Sequence, residues 1–208
     1  MFSHSLSFRM TGLSKRPVNF IGAAFMLLSK NLMEKFTAND AGRDCVYMEA
    51  ALREARDAAD AGEIPVGAVV VCGGEVIARA HNRREELQNP TAHAEVLALQ
   101  AAASHLKSWR LEECSLYVTL EPCLMCVGAI LQARISRLIF GCLDPKAGAV
   151  ESLYRLCDDP RLNHTLPVTR GFMENECSSL LSEFFSRLRE EKREVKRAER
   201  WPSPVEGA

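Results

Sequence analysis

The sequence has almost no net charge, no long apolar run and no internal repeat. Its 26 basic and 27 acidic residues give a net charge of −1 over 208 residues. A strong field of one sign is therefore excluded, and any contact with nucleic acid must come from a local patch. The apolar stretch at residues 20–28 is shorter than the ~20 residues that a transmembrane helix needs. No association with a membrane is expected.

Cysteine is sparse, with eight residues, and one pair is closely spaced. A chain of this length can bury enough surface to fold without disulfide bonds. No convincing secretory signal is present. The Cys-x-x-Cys pair at Cys123 and Cys126 is therefore expected to serve metal or redox chemistry rather than a disulfide framework.

Residues 1–33 differ from the rest of the chain because they contain no Asp or Glu. A basic, Ser-rich segment with an apolar stretch is also typical of transit and signal segments. No Ala-x-Ala-like cleavage site follows the stretch, so residues 1–43 are expected to be an N-terminal extension outside the fold. Organellar import through residues 1–33 stays open, and the expected location is otherwise cytoplasmic.

The rest of the chain alternates between helical and strand patterns. Apolar residues at helical spacing predict a helix from Asp44 to about Gly62. Gly73-Gly74 joins two predicted strands, residues 67–72 and 75–80, as a hairpin. Further elements are predicted in the order helix 91–106, strand 115–120, helix 122–134, strand 137–141, strand 166–170 and a last helix around 177–188. This order implies a mixed sheet covered by helices on both faces.

The last predicted helix changes character along its length. Apolar residues from Cys177 to Leu188 recur on one face, whereas residues 189–200 are dense in both charges. Residues 191–208 are therefore interpreted as a charged tail. A solvated helix and a phosphate-binding surface both explain this composition.

Two pairs of residues together predict a metal site. His93 and Glu95 stand at the start of one predicted helix, and Cys123 and Cys126 stand at the start of another. Cysteines at positions i and i+3 share a helical face, and a helix N-terminus favours the thiolate that binds metal. Sulfur combined with imidazole selects zinc over magnesium or calcium. Three protein ligands, His93, Cys123 and Cys126, suit a catalytic zinc, which keeps its fourth position for water.

Two other kinds of site fit the same residues. A structural zinc would need a fourth ligand, for which the candidates are His81, Cys114 and Cys142. A redox dithiol is also possible, because Cys-x-x-Cys on a helix serves thiol exchange as well. Glu95 favours the catalytic zinc. Glu95 stands two residues after His93 on the predicted helix, so its side chain points away from the ion. It could still carry a proton from water to a leaving group.

The joint pattern of His-x-Glu at 93–95 and Pro-Cys-x-x-Cys at 122–126 resembles the signature of zinc nucleobase deaminases. Over residues 44–190 the chain resembles the bacterial tRNA-specific adenosine deaminase family. The matching blocks are Ile64-Pro-Val-Gly-Ala-Val69, His81-Asn-Arg83, Pro90-Thr-Ala-His-Ala-Glu95, Leu116-Tyr-Val-Thr-Leu-Glu-Pro-Cys-Leu-Met-Cys-Val-Gly128 and Gly141-Cys-Leu-Asp-Pro-Lys-Ala-Gly-Ala149. The resemblance implies a homodimer with a three-layer α/β/α, cytidine deaminase-like fold and a mixed five-stranded sheet. It also makes residues 44–190 a zinc-dependent deaminase domain.

The same resemblance implies hydrolytic conversion of adenosine to inosine at the wobble position of a tRNA anticodon, with one Zn²⁺ per subunit. His93, Cys123 and Cys126 would hold the zinc, and Glu95 would be the catalytic residue that moves the proton. The residues that would contact the tRNA anticodon loop are Asn82, Asp144, Lys146, Phe184 and Phe185. The chain departs from the family in its extension and at Arg84, where relatives often carry Pro.

Two other functions are open at this point. A deaminase of a free base or nucleotide, of the guanine or cytosine type, would use the same metal ligands and the same carboxylate. A non-catalytic zinc-binding subunit is the other alternative. Such subunits typically replace the catalytic glutamate, which is present here as Glu95.

Overall fold

The structure, a computed structural model, describes residues 38–200. The predicted extension therefore lies mostly outside the described residues, as do the last eight residues of the charged tail. The helices are α1 (Ala38–Asp60), α2 (Arg84–Leu87), α3 (Ala94–Leu106), α4 (Leu124–Ala133) and α5 (Glu174–Arg200). The strands are β1 (Gly67–Cys72), β2 (Glu75–His81), β3 (Cys114–Leu120), β4 (Arg137–Cys142) and β5 (Val168–Thr169). Among these helices, none combines the length and the apolar character that crossing a bilayer requires.

The five strands form one mixed sheet in the order β2-β1-β3-β4-β5. The central strand β1 is antiparallel to both β2 and β3, whereas β3, β4 and β5 are parallel to one another. The hairpin at Gly73-Gly74 creates the antiparallel part, because a two-residue turn reverses the chain. Helix α4 connects the parallel strands β3 and β4, and α5 follows β5. The predicted mixed five-stranded sheet is confirmed.

Each face of the sheet is covered by its own pair of helices. Alternate residues of β1, β3 and β4 face opposite sides because side chains along a strand alternate. One face packs against α3 and α4 through Ala68, Val70, Leu116, Val118, Leu138 and Phe140. The other face packs against α1 and α5 through Val69, Val71, Tyr117 and Ile139. These two separate cores confirm the predicted α/β/α arrangement in three layers.

Helices α1 and α5 are longer than predicted, and helices α3 and α4 begin later than predicted. Helix α4 begins at Leu124 rather than Pro122, and Cys123 is its N-cap, with extended dihedrals of φ −76° and ψ 174°. The chain is extended there because the carbonyl of Pro122 accepts a hydrogen bond from the N–H of Ala149 at 2.9 Å. Helix α3 begins three residues later than expected, with His93 as its N-cap. The one-turn helix α2 was not predicted.

Phe140 and Trp109 are two large aromatic residues with different environments. Phe140 is fully buried in β4. The Trp109 side chain is 60% exposed and stacks under the guanidinium of Arg110, 4.8 Å from the ring centroid. Helix α3 ends at Leu106, and its C-cap, Lys107, adopts a left-handed conformation. Trp109 therefore lies in a loop and does not continue the apolar face of the helix.

A buried polar cluster fastens the first turns of α1 to the sheet. Arg137 donates hydrogen bonds to both carboxylate oxygens of Asp44, at 2.7 and 3.1 Å. The Tyr117 hydroxyl donates to Oδ1 of the same carboxylate at 2.6 Å. Asp44 is 4% exposed and Tyr117 is 2% exposed. Loss of one partner from such a buried pair typically costs about 3–5 kcal/mol, because the other charge is left uncompensated.

The Tyr117 hydroxyl is expected to make the protein sensitive to alkaline pH. Burial and the hydrogen bond to Asp44 raise the pKa of Tyr117 above its ordinary value. A group whose pKa is raised on folding stabilises the folded state fully at pH values below its unfolded pKa, which is about 10 for tyrosine. This stabilisation is lost as the pH rises further. The free energy of unfolding, measured by urea denaturation between pH 8 and 11, should therefore fall above about pH 10.

The Tyr117→Phe variant is the control for this pH dependence. It loses the hydrogen bond to Asp44 and should be less stable at pH 8. Above pH 10 its stability should fall less steeply than that of the native chain, by up to about 1.4 kcal/mol per pH unit. Equal slopes for the two proteins would show that Tyr117 does not carry the effect.

Candidate active site

The three predicted metal ligands meet where two helices begin. His93 is the N-cap of α3, Cys123 is the N-cap of α4, and Cys126 lies one turn inside α4. The candidate ligand atoms, one from each residue, all lie within 4.8 Å of one another. Sγ of Cys123 is 3.7 Å from Nδ1 of His93 and 3.6 Å from Sγ of Cys126. Sγ of Cys126 is 3.5 Å from Nδ1 of His93.

These separations match the edges of a tetrahedral zinc site. Bonds of ~2.3 Å to sulfur and ~2.1 Å to nitrogen place two sulfurs ~3.8 Å apart and a sulfur and a nitrogen ~3.6 Å apart. The three measured separations are 3.5, 3.6 and 3.7 Å. The soft sulfur and imidazole donors also suit zinc by their chemistry. The side chains therefore fit a zinc ion in both donor type and spacing.

None of the three candidates for a fourth ligand joins this group. Nδ1 of His81 pairs with Oε2 of Glu54 at 3.1 Å, and the Cys142 thiol contacts the carbonyl of Thr119 at 3.6 Å. Cys114 lies opposite Cys72 in the ladder between β1 and β3. Among residues 38–200 the group contains no fourth His, Cys, Asp or Glu. The described side chains thus form a three-ligand set.

The two sulfurs of the group differ in their electrostatics. The contact with the Cys126 thiol lowers the pKa of Cys123 to about 4. The same contact, together with burial, raises the pKa of Cys126. Ionisation of the Cys123 thiol is thus favoured, whereas ionisation of the Cys126 thiol is disfavoured. A divalent cation between them would favour the thiolate form of both.

Glu95 lies next to this group, in the first turn of α3. Its side chain is 4% exposed. Burial raises the pKa of Glu95, although hydrogen bonds from the backbone and from Cys126 oppose the shift. A carboxyl group with a raised pKa is suited to accept and return a proton near neutral pH.

Three of the predicted substrate-binding residues line one cavity. Asn82, Phe184 and Phe185 line a cavity of about 290 Å³, together with Gly62, Glu63, Ile64, Arg84, Glu85 and Leu188. Phe184 is buried, and its ring meets that of Phe185 edge to face, with centroids 5.7 Å apart. The structure thus brings residues from the loop after β2 and from α5 to the same opening.

The other two predicted substrate-binding residues, Asp144 and Lys146, lie in the loop after β4 and do not line this cavity. Oδ1 of Asp144 accepts hydrogen bonds from the backbone N–H groups of Lys146 and Ala147, at 2.9 and 3.2 Å. The Lys146 side chain is exposed. The Asp144 carboxylate therefore shapes its own loop, and Lys146 is free to face solvent.

Glu121 organises that loop and was missed in the sequence. Its Oε1 accepts hydrogen bonds from three consecutive backbone N–H groups, those of residues 150–152, at 3.1, 2.7 and 2.9 Å. Its Oε2 accepts from the N–H of Asp144 at 3.0 Å and also from the Ser152 hydroxyl. Burial raises the pKa of Glu121, but these hydrogen bonds outweigh burial and hold it below its ordinary value. Glu121 stands within a matched sequence block, yet no spacing reveals these backbone partners.

Gly148→Ala is expected to disrupt this loop. A methyl group at Gly148 would overlap the Glu121 carboxylate, which is held on both oxygens and cannot move aside freely. Overpacking of this kind costs about 1–3 kcal/mol. The free energy of unfolding in urea should fall by that amount.

Gly128→Ala is the matched control, because Gly128 is exposed in α4 and an added methyl group meets no atom within 4 Å. Alanine there should stabilise the protein by about 0.5–1 kcal/mol. A Gly148→Ala protein as stable as the native chain would contradict the tight packing against Glu121.

Comparisons with known proteins agree on one family. The MafB19-like deaminase family model matches residues 43–189. The tRNA-specific adenosine deaminase of Bacillus subtilis (strain 168) is 46% identical over 155 residues, covering 74% of this chain and 96% of that protein. The tRNA-specific adenosine deaminase of Aquifex aeolicus (strain VF5) is 50% identical over 143 residues, covering 69% of this chain and 94% of that protein.

Solved structures show the same relationship. A structure from a study of A-to-I editing by tRNA:A34 deaminases at the wobble position of transfer RNA has a TM-score of 0.63 and 49% identity, covering 65% of this chain and 98% of its own. A guanine deaminase from Nitrosomonas europaea has a TM-score of 0.57 and 26% identity, covering 67% of this chain and 83% of its own. A family match over most of the chain, and relatives of high identity covered almost from end to end, show that this chain belongs to the tRNA-specific adenosine deaminases within the MafB19-like deaminase family.

Proposed function

We propose that this enzyme hydrolyses the 6-amino group of adenosine at the wobble position of a tRNA anticodon, so that adenosine and water give inosine and ammonia. One observation carries the proposal. In a chain of the tRNA-specific adenosine deaminase family, the buried Glu95 carboxylate lies beside the group of His93, Cys123 and Cys126. That arrangement places an acid–base group next to a cation site of catalytic type.

His93, Cys123 and Cys126 would hold one zinc ion per subunit. The fit of their spacing and donor atoms to a tetrahedral site supports this assignment. When bound, zinc polarises a water molecule, so that a strong nucleophile is available near neutral pH. A set of three protein ligands is typical of a catalytic rather than a structural zinc site.

Glu95 performs the proton transfers in this proposal. Its carboxylate removes a proton from the attacking water, and the resulting hydroxide adds to C6 of the adenine. Glu95 gives this proton to N1 of the ring. It then takes the second proton from the hydroxyl group added at C6 and passes it to the amino group, which leaves as ammonia. The burial of Glu95 keeps bulk water away from these steps and keeps its pKa raised.

The substrate contacts in the proposal divide between the base and the RNA backbone. An anticodon loop presents an unpaired base, so its extrusion into the site costs less than extrusion from a duplex. Asn82, Phe184 and Phe185 line the cavity that would receive the nucleoside and its neighbour. The exposed side chains of Arg84 and Lys146 would contact phosphates. Arg83 is less suited to this role because its guanidinium is bound to Glu86 at 2.6 and 2.7 Å.

The proposal is tested by offering the purified protein a set of matched substrates. These are an anticodon stem-loop RNA with adenosine at the wobble position, the same RNA with cytidine or guanosine there, and free adenosine, guanine and cytosine. Inosine in the RNA and released ammonia are measured. Only the first RNA is expected to react. Release of ammonia from free guanine instead would favour the activity named for the more distant structural neighbour.

The proposal also includes the assembly and the domain limits that the family resemblance implies. Light scattering of the purified chain should give twice the 23.1 kDa of one chain for a homodimer. Residues 44–190 would be the deaminase domain, preceded by an extension at 1–43 and followed by a charged tail at 191–208. The proposed location is the cytoplasm.

A further inference from the structure

Glu63 is a buried carboxylate that the proposed reaction does not use. It lies in the loop between α1 and β1 and is 1% exposed. Its Oε1 accepts a hydrogen bond from the backbone N–H of Glu86 at 2.8 Å. Its Oε2 accepts a hydrogen bond from Nδ2 of Asn82 at 3.0 Å. One side chain thus joins three segments: its own loop, helix α2 and the residue that follows β2.

The carboxylate determines which way the Asn82 amide faces. Both oxygens of Glu63 act as acceptors here, so the group beside Oε2 must be a donor. The NH₂ group of Asn82 therefore faces Glu63, because the reverse orientation would bring two acceptors together. The backbone N–H of Asn82 is held by the carbonyl of Val66 at 3.0 Å, so the residue as a whole is fixed.

The opposite end of the same amide, Oδ1 of Asn82, has no hydrogen-bond partner among the described residues. No buried polar side-chain atom among those residues lacks a partner, so this oxygen must be accessible to solvent. Asn82 lines the cavity beside Phe184 and Phe185, and we therefore assign the accessible oxygen to that cavity.

We propose that Glu63 is a positioning residue, which fixes the Asn82 amide with its oxygen toward the substrate and so selects a hydrogen-bond donor on the nucleoside. The inference rests on the proposed function, because it assigns the substrate of that reaction to the cavity beside Asn82. A nucleoside offers such donors as ribose hydroxyls and an exocyclic amino group. A group that only accepts hydrogen bonds would meet the Asn82 oxygen unfavourably.

The Glu63→Gln variant tests the orientation because it keeps the size of the side chain. The glutamine carbonyl is needed by the N–H of Glu86, so the glutamine NH₂ would face Asn82. The Asn82 amide would then turn over and present NH₂ to the substrate. We expect kcat/KM for the stem-loop RNA to fall about 10- to 100-fold, the effect of one misplaced hydrogen bond.

A second substitution should reverse that loss. In the Glu63→Gln, Asn82→Asp double variant, one aspartate oxygen accepts from the glutamine NH₂ and the other faces the substrate as an acceptor. This variant keeps the net charge of the native chain. Its kcat/KM is expected to recover at least tenfold relative to Glu63→Gln. Asn82→Asp alone places two carboxylates against each other and should reduce both kcat/KM and the melting temperature.

The outcomes separate a positioning role from a structural one. If the double variant regains the melting temperature of the native chain but not its kcat/KM, the pair is only structural and the proposal is wrong. Multiplicative losses in the double variant would overturn it as well. Glu75→Gln, at the exposed far end of β2, removes a carboxylate without touching the pair and should leave kcat/KM unchanged.

A binding measurement keeps this test apart from the test of the proposed function. Each variant is also made in a Glu95→Ala background, and its dissociation constant for the same stem-loop RNA is measured without turnover. The order of affinities should follow the order of kcat/KM. If the proteins bind the RNA in the expected order but the native chain does not deaminate it, the proposed reaction is refuted and the role of Glu63 is supported. Equal affinities of the native pair, Glu63→Gln, Asn82→Asp and the double variant in the Glu95→Ala background would refute the role of Glu63.

Discussion

Replacement of Glu95 by alanine is expected to lower kcat for inosine formation by about 10²- to 10⁴-fold, the usual contribution of a positioned acid–base group. The fold and the metal content should be unchanged, because Glu95 lies outside the three-ligand group. Burial disfavours the ionised form of this carboxylate, as its raised pKa shows. The alanine variant should therefore melt at the same temperature as the native chain or slightly above it, as is common when a buried functional charge is removed.

Glu95→Gln is the matched variant for this experiment. It keeps the size of the side chain but cannot accept and return a proton, so its kcat should fall as far as that of the alanine variant. Zinc is measured by elemental analysis and the fold by circular dichroism. Undiminished inosine formation in either variant, or a variant purified without zinc, would reject the role given to Glu95.

Cys126→Ala is expected to lose the metal ion and all measurable activity. Cys126 is fully buried and stands 3.5 Å from Nδ1 of His93 and 3.6 Å from Sγ of Cys123. Two remaining ligands make a much weaker site than three. Zinc content should fall from about one ion per chain toward zero. The melting temperature should fall too, because an ion that binds only the folded state stabilises that state.

Cys45→Ala controls for the loss of a thiol as such, because Cys45 is exposed in α1 and outside the metal group. It should keep both zinc and activity. A strong chelator should lower the melting temperature of the native chain and of Cys45→Ala but leave that of Cys126→Ala unchanged. A full complement of zinc in Cys126→Ala would show that the ligand set is assigned wrongly.

The sequence predicted the architecture well where local patterns decide the structure. Strand β1 is a continuous apolar run and β4 is one after Arg137, and Gly73-Gly74 supplies the two left-handed residues that the hairpin needs. Strand β5 was predicted too long, at 166–170, because its two paired residues depend on their register with β4 rather than on their own composition. Helix α2 was missed because four residues carry too little periodicity to reveal a helix.

The residues of the candidate site were likewise predictable only where a local sequence pattern reveals them. His93, Glu95, Cys123 and Cys126 could be found because each pair sits within a few residues at one helix start. Glu63 and Glu121 could not, because their partners are 19 to 31 residues away along the chain and most of those partners are backbone N–H groups. An isolated glutamate in a loop has no sequence pattern that distinguishes it from a solvated one.

The two helical layers supply different parts of the candidate site. Helices α3 and α4, on one face of the sheet, supply His93, Glu95 and both cysteines of the metal group. Helix α5, packed on the opposite face, supplies Phe184 and Phe185, which line the cavity beside Asn82. In the proposed function, mutations in α5 are therefore expected to change which nucleoside is bound while the metal ligands stay in place. Substrate choice and hydrolysis would then be separable on a single scaffold.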